Sequence, residues 1–539
     1  MAQGDGGQDR RDRGAGEEWA APTPLEMLET GVPNLDQILG GGLLRGATVM
    51  VVGAPGTGKT ILAQQIAFHG ARRGATALYL TGYSETHAKL LAHTRRLRFF
   101  APALIGERLV LGSLPELLGR GAGETEDAIV ATARQHRAAL VVLDGFGNMR
   151  GFLGGEHHQA VAHFVYSLGA KLSLLGATLL VLAESNPDER DRYPELTVSD
   201  AVLALRRERQ DSRQRRLLEV VKVRGAAPLN GFHPFTIDDD GVHLSPRLEA
   251  VVPAAEPVWT DERSDFGIAA VDALLGGGLT VGSATLAAGS PGTGKTLLGL
   301  HFAAQGARRG EPTLFLGFME SAGQLRAKAR ALGMDLAAAE AAGRVRLLVL
   351  PAYDLEADRV AELLRADVER RGVRRLVVDS AAELERGVAA EARRPEFLAA
   401  LVGYLRGRNV TSYLTLDVPT IVGPELEFAG TPLSVVAENL LLLRYAEYRG
   451  ALHRLFSVLK MRFSDYDRTI REYTITPGAG LQLLGAAPPA AGLLTGIAHP
   501  LAERPRGEGR WEGDARAPAL ERSEGADAPP PRRPWDREG

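Results

Sequence analysis

Two stretches of this chain have the residue types and spacing to hold a polyphosphate. Gly53-Ala54-Pro55-Gly56-Thr57-Gly58-Lys59-Thr60 and Gly289-Ser290-Pro291-Gly292-Thr293-Gly294-Lys295-Thr296 both fit G-x-x-x-x-G-K-[ST]. The glycines let consecutive backbone N–H groups turn inward and wrap phosphate oxygens. The lysine reaches the terminal phosphates, and the Thr60 or Thr296 hydroxyl is placed to take Mg²⁺. Lys59 and Lys295 are 236 residues apart, and at that offset residues 31–60 and 267–296 agree at 15 of 30 positions. A period of that size is a duplicated domain rather than a solenoid.

Other residues fall into the same repeat. Asp144 closes the apolar run Leu140-Val141-Val142-Leu143, and Asp379 closes Leu376-Val377-Val378. A carboxylate at a buried strand end beside a phosphate loop is where a Mg²⁺-orienting acid is needed. Glu85 and Glu320 follow the strand-like runs Tyr79-Leu80-Thr81 and Leu314-Phe315-Leu316. Either could hold a water in line or accept its proton. The competing reading is an acid complementing a helix N-terminus that Ser84 or Ser321 would cap. Finally, Lys222-Val223-Arg224 and Lys460-Met461-Arg462 each put two cations on one strand face. Such a pair suits a γ-phosphate, including one offered by a neighbouring subunit.

The elements that must position these groups follow from apolar patterning. Runs at 47–52, 77–80, 139–143 and 178–182 alternate with helical stretches such as 61–69 and 159–175. That rhythm implies a parallel sheet with helices on both faces and ligands at the strands' carboxyl ends. From residue 201 the pattern turns strand-only, at 202–206, 216–223 and 234–237, and again at 439–445, 455–461 and 471–475. These read as antiparallel strands added to one sheet edge. The expected organisation is an arm at 1–22, a first domain at 23–248, a linker at 249–260, a second domain at 261–484, and a Pro/Gly/Arg-rich tail at 485–539. The arm and tail have too little apolar content to offset ordering entropy.

Composition narrows the function. The formal net charge is −3, which argues against nucleic acid as the main ligand. Cysteine is absent, so disulfides, zinc–thiolate sites and a cysteine nucleophile are excluded; a reducing cytoplasm is compatible. No run of about 18 uncharged apolar residues and no apolar leader appears, so neither membrane spanning nor secretion is expected.

Together these residues resemble the KaiC family of tandem RecA-like P-loop ATPases. The resemblance rests on Gly31-Val32-Pro33-Asn34-Leu35-Asp36, both phosphate loops, Asp379-Ser380, residues 217–237 and Val458-Leu459-Lys460-Met461-Arg462, and covers about residues 24–484. It implies an α/β fold of two such domains, a homohexamer holding ATP and Mg²⁺ between subunits, and Lys222/Arg224 and Lys460/Arg462 acting on a neighbour's nucleotide. It also implies a signalling role read by a protein partner. The sequence departs from the family's clock members in three places. Their paired glutamates are Ser84-Glu85 and Met319-Glu320 here, Phe463 stands where a glycine follows K-x-R, and their Ser-Thr phosphoacceptor pair corresponds to Ser434-Val435. Val435 has no hydroxyl, so a two-site phosphorylation cycle is chemically excluded at that pair. The leading expectation is an ATP-hydrolysing signalling ATPase. A serine/threonine autokinase acting on Ser434 is the second reading, and a RecA-like recombinase or helicase the third.

Overall fold

A computed structural model describes residues 26–82, 87–119, 121–148, 158–186, 188–189, 192–210, 213–252, 260–418, 432–462, 464–487, 490–491, 493 and 499–500. Each half builds one nine-stranded sheet. In the first, the strands are β1 Thr48–Val52, β2 Ala77–Thr81, β3 Leu109–Ser113, β4 Leu140–Asp144, β5 Thr178–Ala183, β6 Ala201–Gln210, β7 Arg213–Val223, β8 Phe232–Asp238 and β9 Gly241–Leu244. Their spatial order is β3-β2-β4-β5-β1-β6-β7-β8-β9. The first six in that order pair in parallel, and β6 to β9 continue antiparallel.

The second half repeats this strand for strand. Its strands are β10 Ala284–Gly289, β11 Thr313–Gly317, β12 Val345–Val349, β13 Arg375–Asp379, β14 Thr411–Asp417, β15 Asn439–Tyr448, β16 Ala451–Met461, β17 Arg471–Thr476 and β18 Gly480–Ala486. They lie in the order β12-β11-β13-β14-β10-β15-β16-β17-β18. These are two tandem RecA-like domains, each a mostly parallel sheet with an antiparallel extension. The expected strand-only segments form that extension, except that β6 and β15 join the central strands β1 and β10 in parallel and only their far sides continue antiparallel. The edge strands β3 and β12 were not expected; both are only partly buried, and their mixed composition hides them.

The central strands are apolar on both faces because both faces are covered. Val49 and Val51 of β1 pack with Leu62, Ile66 and Phe68 of α1 (Lys59–Arg72). Met50 and Val52 point the other way, into a core with Ile129 of helix Ala122–His136 and Phe164 and Leu168 of helix His158–Ser173. Burying each such side chain contributes roughly 1.5–3 kcal/mol. The same division recurs around β10, with Phe302 of α2 (Lys295–Arg309) on one face and Leu364 and Leu401 on the other. The sandwiched β1 and β10 are thereby held rigidly, and their carboxyl ends launch the two phosphate loops. The repeated acids Asp36 and Asp272 are structural. Asp36 accepts from Thr30 N and Oγ1, and Asp272 accepts from Phe266 N.

The two domains meet through charged and polar contacts. Asn34 Nδ2 and Ser245 Oγ of the first half donate to Glu362 of the second, each at 3.0 Å. Arg359 Nη1 donates to the same carboxylate at 2.8 Å. Burial alone would raise Glu362; the bonds from His243, Arg359 and Asn34 outweigh it and bring its pKa to about 2. Leu248 is buried in the second domain's core, its N–H donates to Asp358, and Arg393 clamps both Asp358 and Glu249. Beyond β18, Ala490–Ala491 pairs with His499–Pro500.

Candidate functional site

Both phosphate loops leave a buried strand and enter a helix at its lysine. Gly58 and Gly294 sit just before α1 and α2 with φ of 112° and 95°. Those positive φ values favour glycine, and a Cβ at either position would also stand 2.7 Å from the Cδ1 of Ile237 or Ile475, which would have to move. In the first loop Thr57 Oγ1 donates to Ala54 O at 2.9 Å, and Lys59 Nζ donates to Gly53 O at 2.7 Å and Ala54 O at 3.0 Å. In the second, Thr293 Oγ1 donates to Ser290 O, and Lys295 Nζ to Gly289 O and Ser290 O at 2.7 and 2.9 Å. Each lysine is thus folded back along its own loop, its ammonium beside the loop's mouth. Burial pushes the Lys59 pKa down, while Glu184 and Asp144 pull it up.

In the second domain the strand-end aspartate is bonded to its loop. Asp379 Oδ2 accepts from Thr296 Oγ1 at 2.8 Å, and Oδ1 accepts from Thr415 Oγ1 at 2.5 Å. Burial raises the Asp379 pKa; the two hydroxyl bonds oppose that, and Glu320 and Asp417 add to it. Asp144 accepts from Tyr79 Oη at 2.7 Å. A buried carboxylate joined to the loop threonine is a hard-oxygen donor set. It suits a Mg²⁺ that keeps waters and phosphate oxygens as its remaining ligands. Among the described residues no group of three or more His, Cys, Asp or Glu offers an all-protein metal cage.

Glu320 lies immediately before helix Ala322–Ala331. Ser321 caps that helix in a capping box with Gln324, as the helix-N-terminus reading of Glu320 expects. Its Oε1 accepts from Lys328 Nζ at 2.6 Å, and its Oε2 is buried with no hydrogen-bond partner. Glu85 falls outside the described residues, as does Phe463.

The K-x-R pairs sit just past a β-bulge that the sequence did not announce. Val202 pairs with Lys222 but Leu203 with Val220; Leu440 pairs with Lys460 but Leu441 with Val458. The extra residue in each re-aims the lysine. Lys222 Nζ then donates to Thr197 O and Ser199 O, and Lys460 Nζ to Ala437 O and Ser434 O. Each lysine therefore holds the end of a short helix, Glu195–Val198 or Pro432–Val436, within its own chain. Arg224 pairs with Asp200 at 3.3 Å, and Arg462 is exposed. Ser434 is half-buried on helix Pro432–Val436, and Val435 beside it is exposed.

Sequence reasoning missed an acid one strand away from each loop. Asp417 ends β14, with Gly289 as its register partner on β10, and forms an ion pair with Lys295 Nζ at 2.7 Å. Glu184 follows β5 at the matching place in the first domain. With Pro55, Asn186, Tyr193 and Arg207, Glu184 lines a cavity of about 630 Å³ at the mouth of the first loop.

Comparison with known proteins is consistent with this geometry. A family model described as "ATPase: KaiC" matches residues 28–110, 117–249 and 265–487. The chain belongs to the KaiC ATPase family. It is 30% identical to the circadian clock oscillator protein KaiC of Picosynechococcus sp. over 467 residues, covering 84% of this chain and 89% of that one. It is 29% identical over 465 residues to circadian clock oscillator protein KaiC 1 of Synechocystis sp., covering 84% and 88%. The corresponding protein of Synechococcus elongatus is 28% identical over 464 residues, again 84% and 88%. As a KaiC-family ATPase the chain is a nucleotide-binding protein. No helix among the described residues is long and apolar enough to cross a membrane.

Proposed function

We propose that this chain is a cytoplasmic, homohexameric, Mg²⁺-dependent ATPase that holds one ATP at each of its two sites between subunits and signals their state to a protein partner. The observation that carries the reading is the second-domain constellation. Lys295 stands at the loop mouth, Thr296 is hydrogen-bonded to a buried Asp379, and Glu320 keeps one buried oxygen unpartnered. When bound, Mg²⁺ supplies charge neutralisation between the terminal phosphates, held by Thr296 and Asp379 in the second domain and by Thr60 and Asp144 in the first.

The chain's own groups do the rest. Backbone N–H groups of residues 53–58 and 289–294, other than Pro55 and Pro291, orient the phosphates, and Lys59 and Lys295 balance their charge. Glu320, and Glu85 in the first domain, orient the attacking water and receive its proton. Lys222 and Lys460 hold helix ends of their own chain and Arg224 pairs with Asp200, so of the K-x-R groups the exposed Arg462 is the one best placed to reach a neighbour's γ-phosphate, with Lys222, Arg224 and Lys460 acting there only on leaving those partners. A single phosphoacceptor at the half-buried Ser434 is the second reading.

Native mass measurement after incubation with Mg-ATP tests the proposal. Six copies carrying two nucleotides per chain are expected, one per chain after Lys59→Ala or Lys295→Ala, and none after both. Retained ATP in the double variant would refute the assignment of both loops. Phosphate on Ser434 in the same sample would shift the reading to the autokinase.

A further inference from the structure

The two loop lysines are not in the same electrostatic position. An ammonium has three N–H donors. Lys295 donates to Gly289 O and Ser290 O, and Asp417 Oδ1 stands 2.7 Å from the same ammonium as its ion-pair partner. Its side chain is 6% exposed, whereas Asp417 is 56% exposed and reaches inward from the end of β14. Lys59 uses two donors on Gly53 O and Ala54 O. Among the described residues no carboxylate lies within ion-pair distance of Lys59. Glu184, which occupies Asp417's topological place, acts on it only at longer range.

The third N–H of the loop lysine is the one a terminal phosphate must take. A phosphate oxygen entering the second site therefore meets a carboxylate already seated on Lys295, with Asp379 and Glu320 close enough to add to the repulsion. We propose that Asp417 is a competing carboxylate: an affinity-setting positioning residue that holds Lys295 until the phosphates of a nucleoside di- or triphosphate displace it, making the second site the weaker of the two by its own design. This rests on the second loop being a nucleotide site. The ion pair is half open to solvent, so the competition is worth about 1 kcal/mol, or about fivefold in affinity.

The test uses full-length protein carrying Lys59→Ala, so that only the second site reports. Calorimetric titration with ATP and with ADP is compared before and after Asp417→Asn, alongside melting temperatures without nucleotide. The proposal expects Asp417→Asn to tighten both nucleotides about fivefold while the melting temperature stays level or falls. A carboxylate that only braces the strand end would lower the melting temperature and leave the affinity unchanged or weaker, and that result overturns the proposal while leaving the nucleotide site standing. If neither protein binds nucleotide, the second site itself is refuted and the proposal falls with it.

Discussion

Asp379→Asn separates folding from function at the second site. The carboxylate is buried, its pKa is raised by that burial, and Glu320 and Asp417 add repulsion. A group of this kind weakens the fold where it is charged. Its penalty is absent below the ordinary aspartate value and grows as pH rises through the raised value. Asparagine removes the charge and the penalty. It keeps one acceptor for one of the two threonines; the other hydroxyl, on Thr296 or Thr415, must turn to accept from the new amide. Losing one charged hydrogen bond and relieving a buried charge nearly cancel, so stability should change by no more than about 1 kcal/mol. Function should not survive as well. In the proposed site the anionic oxygen that would serve Mg²⁺ is gone, and such losses cost about 10–100-fold in metal-dependent affinity, or about 1.4–2.7 kcal/mol. In the Lys59→Ala background, ATP is titrated with and without Mg²⁺ and melting is followed from pH 3 to 8. Mg²⁺ should tighten ATP in the parent and barely do so in the variant, whose melting profile should fall less as pH rises above the ordinary aspartate value of 3.8. Undiminished Mg²⁺ enhancement in Asp379→Asn would refute the metal role, and a variant that fails to fold would make Asp379 a structural strand end.

Two further predictions concern the joint between the domains. Glu362 is depressed from its ordinary 4.5 to about 2, so its stabilisation is present above about pH 4.5 and lost as pH falls towards 2. Glu362→Gln should lower stability at pH 7 by about 2 kcal/mol, after allowing for its partial exposure, and flatten the acid limb of a denaturation profile; an unchanged limb would remove it from the joint. Arg393→Ala strands the fully buried Asp358 side chain and frees Glu249, at about 3–5 kcal/mol in chemical denaturation. A loss under about 1 kcal/mol would mean that water replaces the guanidinium.

The sequence made the duplication, the parallel core and the phosphate loops legible because each leaves a periodic or spaced mark: apolar runs for doubly covered strands, glycines for left-handed turns. What it hid has physical reasons. The edge strand β12 is only five residues long, and Arg346, paired with Asp367 at 2.6 Å, interrupts its apolar run with a charge whose partner lies on helix Ala357–Arg371. The bulges before Lys222 and Lys460 involve Val221 and Leu459, ordinary strand residues whose displacement depends on the opposite strand. Asp417 and Glu184 escaped because the repeat drifts. The lysines are 236 apart and the aspartates Asp144 and Asp379 are 235 apart, but these two acids are 233 apart, so a fixed offset never aligns them. The Glu362 contacts join residues more than a hundred positions apart, for which a single chain leaves no local signal.

The two sites differ most in what braces their loops. In the second domain three phenols hold the loop backbone: Tyr413 donates to Lys295 O, Tyr445 to Gly292 O, and Tyr473 to Thr293 O. By strand register and glycine contacts the first domain has Leu180, Arg207 and Phe235 in those places, none of which carries a phenol. Bracing a loop in its phosphate-wrapping shape lowers the ordering cost of binding and favours affinity. The Asp417 carboxylate opposes affinity by pairing with the Lys295 ammonium that the phosphates need. These effects reach the same eight residues from different strands, β14 through Tyr413 and Asp417, β15 through Tyr445, β17 through Tyr473. They are therefore separable. Asp417→Asn lifts the competition and leaves all three phenols in place, so the affinity it exposes is that of the braced loop alone. If that affinity exceeds the first site's, the second domain is a preorganised site held in check by one carboxylate rather than a degenerate copy of the first.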